Sequence, residues 1–213
     1  MKTDDLVAML ANGPVAVPRH ATNRRLRLAL AVGVPLSLII LFAAYGVRRD
    51  LVQAMFWPML WVKVLFPVFI AWGGFLMAQR LARPGVRVGL SWLLVAIPVL
   101  VVWIMALQSW FFEPAGERMP MLMGHTWRTC AVSIAMISAP LFVAGFVALK
   151  GLAPTRPAWA GAAVGALAGG AGAAVYALHC QELAAPFLAV WYVAGILIPV
   201  VLGALLGPRL LRW

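Results

Sequence analysis

The side chains best suited to soft-metal or redox chemistry are two cysteines and two of the three histidines, and they fall in two short segments. His125 lies five residues before Cys130, and His179 adjoins Cys180. Two thiols with imidazole neighbours suit a soft or borderline ion such as Cu(I), Zn(II) or Cd(II), or a reversible disulfide. The plain alternative is that buried cysteine is a small apolar filler. Met119, Met121 and Met123 alternate just ahead of His125, and such thioethers can hold Cu(I). They are equally ordinary apolar contacts at an interface. The sequence has no Gly-rich phosphate loop, His-Glu-x-x-His, Gly-x-Ser-x-Gly or Cys-x-x-Cys, so the motifs of the common enzyme classes are missing.

The elements that must position these residues are set by composition. Apolar residues make up 64% of the 213 residues and charged ones only 11%, which is too much apolar surface for a soluble globule to cover. Six runs are long enough to cross a hydrocarbon core about 30 Å thick: roughly 26–45, 60–78, 88–107, 127–149, 158–178 and 186–206. No ten-residue alternation of the barrel type is present. The expectation is an all-α integral membrane bundle of six transmembrane helices. Cys130 begins the fourth span and Cys180 ends the fifth. These spans run in opposite directions, so both thiols reach one face.

Lysines and arginines fix which face that is. The side of the N-terminus collects twelve of the seventeen, the other side four, and Lys63 lies inside a helix. Positive-inside bias therefore places both termini in the cytoplasm and the thiols outside, in a membrane crossed six times. Arg19, Arg24 and Arg25 ahead of the first run, Arg27 at its start, and its distance from the beginning mark that run as a retained span, not a signal peptide. The net charge of +11 is read as topology and anionic lipid contact, with no direct nucleic-acid partner. Lys63 sits about one turn inside the second span, where it can snorkel to the outer interface or pair with an outside carboxylate. Gly161, Gly165 and Gly169 form a smooth stripe on the fifth span for a neighbouring helix or a dimer partner. The longest outside loop is expected at about 108–126.

The first 25 residues form a separate tail ahead of the bundle at 26–213. Residues from Thr3 read as a short amphipathic helix, with Thr3 as its cap and Asp4 and Asp5 in the first turn. Asn12-Gly13-Pro14 stops it. Leu6, Met9 and Leu10 share a face, and Val15 follows. So short a helix is marginal in water and gains stability in a partner's groove, or by lying on the membrane.

The opening Lys2-Thr-Asp-Asp-Leu-Val-Ala-Met-Leu-Ala with Pro14-Val15 resembles the start of the NrsF family, negative regulators of sigma factor F. Gly124-His-Thr-Trp127-Arg128-Thr-Cys130 is similar to that family's Gly-x-Ser/Thr-Trp-Arg-x-Cys segment. His179-Cys180-x-Glu182 followed by Trp191-Tyr192 is similar to its His-Cys-x-Glu and Trp-Tyr segments. Gln181 stands where the family pattern has proline. The resemblance implies an inner-membrane anti-sigma factor that sequesters an extracytoplasmic-function (ECF) sigma factor and releases it on metal or oxidative stress, with Cys130 and Cys180 as the sensing pair. The tail residues Asp4, Asp5, Leu6, Met9, Leu10 and Val15 would then grip the sigma factor, whose basic DNA-binding surface suits acidic contacts.

Two rivals come from other classes. A membrane thiol oxidoreductase would want a close cysteine pair on one loop, and a small metal transporter would want a polar path through the spans. Neither feature is present in the sequence.

Overall fold

The computed structural model describes residues 3–11, 21–152 and 154–212. Among them every regular element is helical. They are α1 (Thr3–Ala11), α2 (Ala21–Ile40) with a π-helical end (Leu41–Tyr45), α3 (Leu51–Ala54) and α4 (Pro58–Leu81). A 3-10 turn (Gly89–Trp92) leads into α5 (Leu93–Phe112), followed by α6 (Ala115–Met123), α7 (Trp127–Lys150) and α8 (Pro157–Tyr176). The last helix runs as α9 (Ala185–Phe187), a π-helical turn (Leu188–Tyr192) and α10 (Val193–Leu210). Six of these stretches are long and apolar enough to cross a membrane, beginning at Ala21, Pro58, Gly89, Ala115, Pro157 and Ala185.

The bundle is organised around α8. Built almost wholly of glycine, alanine and valine, it has no polar face to show to solvent and is buried nearly all round. It packs against α10, α4 and α7, while α2 lies on α7 and α5 on α4. The glycine stripe permits this. A Cβ on Gly161 would strike the carbonyl of Gly203, and one on Gly165 the carbonyl of Pro199. The stripe's face is therefore occupied by α10 within the chain, so a dimer would need a different surface. Large apolar side chains such as Phe42, Trp72, Ile104 and Val147 stand on the outside, as expected of helices in lipid.

Several details differ from the sequence expectation. The segment expected as a long loop at 108–126 is mostly helical: α5 continues to Phe112 and α6 fills Ala115–Met123. Only 124–126 form the turn before α7, with Gly124 at φ 54°. The first span begins at Ala21, ahead of the boundary expected at 26. In the tail, α1 has nine residues with Asp4 and Asp5 in its first turn, and Thr3 falls inside the helix rather than capping it. Val15 and the side chains of Leu6, Met9 and Leu10 lie outside what is described.

The helices alternate in direction, so the bundle has two chemically different ends. One carries Tyr45, Pro58, Phe112, Trp127 and Cys180 and is called the thiol end below. The other carries Arg80, Arg83, Arg87, Lys150, Arg156 and Arg209 and is called the basic end.

Candidate functional site: a buried thiol pair clamped by a lysine

Cys130 occupies the first turn of α7, where its amide donates to the Thr126 carbonyl at 2.9 Å. Cys180 follows α8, its amide bonded at 3.1 Å to the Tyr176 carbonyl. The two thiols, fifty residues apart in sequence, are in hydrogen-bond contact with each other. Both are free, with 0% and 1% of their residue surface exposed. Tyr176, Tyr192, Phe187 and Ile134 complete a fully buried shell around them.

Lys63 enters this shell from α4 and is itself fully buried. Its Nζ donates to the carbonyl oxygens of Cys180 and Glu182, each at 2.6 Å, and lies 5.0 Å over the Tyr192 ring. Neither snorkelling nor a carboxylate partner, the two readings from sequence, describes what it does. A buried ammonium needs acceptors, and the chain end of α8 supplies main-chain carbonyls that helical bonding leaves over. Hydrogen bonds from a charged donor contribute about 1.5–3 kcal/mol each, so Lys63 ties α4 firmly to the Cys180 segment. The Cys130 hydrogen bond, and next the Lys63 ammonium, hold the Cys180 thiol below the usual thiol range.

The other side of the Cys180 segment is held by the loop after α2. Arg48 is buried: its main-chain amide donates to the Leu178 carbonyl at 3.0 Å and its Nη1 to the Cys180 carbonyl at 3.3 Å. The rest of the guanidinium forks onto Asp50 at 2.9 and 2.7 Å. Those hydrogen bonds hold the Asp50 carboxyl below its usual range and push Arg48 up. Nothing local in the sequence marks Arg48 and Asp50 for this role.

The histidines are drawn into other work. His179 Nδ1 lies 3.0 Å from the Gly46 carbonyl, and its ring packs on Tyr45 and Tyr176 at 5.5 and 5.6 Å. His125 has its side chain 97% exposed; its amide donates to the Glu182 carboxylate at 2.6 Å and its Nδ1 lies 3.3 Å from the same oxygen. Glu182 thus staples the turn before α7 to the segment after α8. Gly124 makes room for it, since a Cβ there would sit 2.7 Å from the Glu182 carboxyl carbon. Arg128 points outward and stacks on Trp127 at 5.1 Å, and Trp127 packs on Trp191 at 5.4 Å. Met119, Met121 and Met123 ride on α6, apart from the thiol pair. That helix is fastened by Trp191 Nε1 donating to the Leu122 carbonyl at 2.9 Å.

Among the described residues no group of three or more His, Cys, Asp or Glu is placed to hold a metal ion. Zinc, which takes four ligands, would find two thiolates here and nothing to complete its shell. The pair fits a dithiol–disulfide step, or a soft ion content with two sulfurs. The Tyr192 hydroxyl faces the Cys180 thiol, and Thr126 Oγ1 is buried nearby without a hydrogen-bond partner, so the site retains unused polar capacity. Access is through a cavity of about 630 Å3 at the thiol end, lined by Arg48, His125, Thr126, His179, Cys180 and Glu182.

The family model described as "Negative regulator of sigma F" (NrsF) matches residues 10–213. A protein of Azospira oryzae described as a probable anti-sigma-F factor NrsF is 43% identical over 213 residues, covering the whole of both chains. The anti-sigma-F factor NrsF of Caulobacter vibrioides is 35% identical over 214 residues, again covering both chains in full. No solved structure matches.

Proposed function

Because this chain belongs to the NrsF family of negative regulators of sigma F, a family of regulators and not of enzymes, we propose that it is an inner-membrane anti-sigma factor. Its cytoplasmic tail and the basic end hold an ECF sigma factor of the F type. Oxidants or thiophilic metals acting on Cys130 and Cys180 at the outer face cause release.

The observation that carries this reading is the meeting of two distant thiols in one buried, lysine-clamped site. Oxidation would join Sγ to Sγ with loss of two protons and two electrons. A peroxide taking them leaves as two waters. The product no longer presents a thiol or thiolate to Lys63, whose ammonium is buried and depends on its few partners. A ligand shifts a two-state equilibrium only if it favours one state, and the altered charge beside Lys63 supplies that preference.

A physical route to the other end exists. Sixteen residues beyond Lys63, or about 24 Å along α4, Gln79 Nε2 donates to Asn23 Oδ1 at 2.9 Å. Asn23 lies in the first turn of α2, next to the tail. A movement of α4 at the thiols therefore reaches the foot of the helix that carries the sigma-binding segment.

The rival readings fare worse. Transport would require a polar path, and the buried polar residues of the six helices are a lysine bonded to carbonyls and a few scattered hydroxyls. An oxidoreductase would place the chain outside the regulatory family to which it belongs. The test is co-purification of the sigma factor with the full chain from membranes, before and after peroxide. Retention before and loss after supports the proposal; a sigma factor that is never retained overturns it.

A further inference from the structure

A wedge between α5 and α10 lies away from the thiols and takes no part in the switch. At the thiol end α5 packs against α9 and the π-helical turn Leu188–Tyr192; otherwise its main partner is α4. The wedge that opens between it and α10 is about 440 Å3 and is walled by Val95 and Val99, Ala162 and Ala166, and Ile196 and Val200. The small side chains of α8, chosen for close packing, are what leave this space. At its basic end stand Trp92, Trp159 and Arg156, the last the one charged residue among those lining it. A second cavity of about 200 Å3 shares Leu81 and Arg156 with the wedge and adds Arg87 and Thr155.

The combined shape is an apolar slot that opens into a small chamber with two guanidiniums and a hydroxyl. No carboxylate lines either part. The sequence has no Asp or Glu between Asp50 and Glu113, or between Glu117 and Glu182, so both basic loops at this chamber are cationic without internal neutralisation. Apolar slot and cationic chamber together complement an amphiphile with an anionic head.

We propose that this wedge is a binding site for one anionic phospholipid of the leaflet at the basic end. An acyl chain lies between α5 and α10, and the phosphate lies at Arg87 and Arg156. Basic pockets between membrane helices hold such headgroups through charge-assisted hydrogen bonds, and the tryptophans stand at the level where a bilayer's interface favours them. The inference rests on the membrane placement proposed above.

The test is native mass spectrometry of the full chain in mild detergent, offered phosphatidylglycerol and phosphatidylcholine with identical acyl chains. One phosphatidylglycerol per chain should be retained, in preference to phosphatidylcholine. The double variant Arg87→Gln/Arg156→Gln should bind phosphatidylglycerol about twenty-five-fold more weakly, about fivefold for each lost guanidinium. Ala162→Trp should weaken both lipids by filling the slot while leaving the arginines in place. Should that variant fail to fold, quenching of Trp159 fluorescence in the unaltered chain by chain-brominated phosphatidylglycerol reads the same slot, with Trp159→Phe as the control. Equal retention of the two lipids, a preference that survives loss of both arginines, unquenched Trp159, or a chain–chain dimer occupying the wedge would each overturn the site. A chain that stays in solution without detergent or lipid would instead remove the membrane placement, a different failure with a different readout.

Discussion

Lys63 reaches from α4 to the carbonyl oxygen of Cys180 at 2.6 Å, and no water can stand between them. This contact makes the second cysteine part of a lysine site as much as a thiol site. It also explains how a single charge is tolerated deep among apolar helices: the donor is satisfied by carbonyls left over at the end of α8 and by the Tyr192 ring.

Removing that charge should loosen the segment. Lys63→Met leaves the Glu182 carbonyl without a donor and the Cys180 carbonyl with only its longer bond from Arg48, a cost of about 2 kcal/mol. Thermal unfolding in detergent should show a lower midpoint, and a protease or thiol reagent should find the Cys180 segment more readily. A midpoint equal to that of the unaltered chain would mean the clamp contributes nothing.

The pH dependence of thiol reactivity follows from the same contacts. An ordinary cysteine titrates near 8.5, while Cys180 is held lower, first by Cys130 and then by Lys63. A depressed value keeps the thiolate populated at pH values below the ordinary one, and the thiolate is lost only as pH falls through the depressed value. Iodoacetamide should therefore modify Cys180 near neutral pH in a Cys130-containing chain. The profile should move to higher pH in both Lys63→Met and Cys130→Ala, each of which removes one of these donors. Profiles that coincide with that of a free thiol in all three proteins would contradict this.

Gly124 couples backbone strain to the staple between the two thiol segments. Its φ of 54° and the 2.7 Å approach of the Glu182 carboxyl leave no room for a side chain. Gly124→Ala should cost about 1–3 kcal/mol and raise basal sigma-dependent transcription by weakening the hold on Cys180. Gly116→Ala is the matched control, because nothing lies within 4 Å of a Cβ at that position. Its stability should be unchanged or slightly raised, since Gly116 lies in α6 and alanine favours a helix.

The tail makes a separate prediction. Asp4 and Asp5 are exposed in the first turn of α1. Reversing both, Asp4→Lys with Asp5→Lys, should slow capture of the sigma factor and weaken retention by about tenfold, with no effect on thiol reactivity. Retention that is unaltered would move the sigma contact to the loops of the basic end.

The helices were legible because their apolar runs are long and their ends are marked by charge and proline. The convergence of Cys130 and Cys180 was legible too, since opposite span directions force both to one face. What could not be read was which side chains would share that face at atomic range. Lys63 and Cys180 are 117 residues apart, and nothing local to Lys63 announces a carbonyl acceptor. His179 adjoins Cys180 in sequence yet turns to Gly46 and two tyrosines, because adjacent residues at a helix end point in different directions. The 108–126 segment looked like a loop for its Gly, Pro and charged residues, but Glu117 in the first turn and an apolar face against α9 suffice for α6.

The most direct measurement is sigma-dependent reporter output in cells carrying the full chain with Cys130→Ser and Cys180→Ser together. The expectation is low basal output, equal to that of the unaltered chain, and no rise when peroxide or a thiophilic metal is added. Normal induction in the double variant would contradict the claim that these two thiols are the switch.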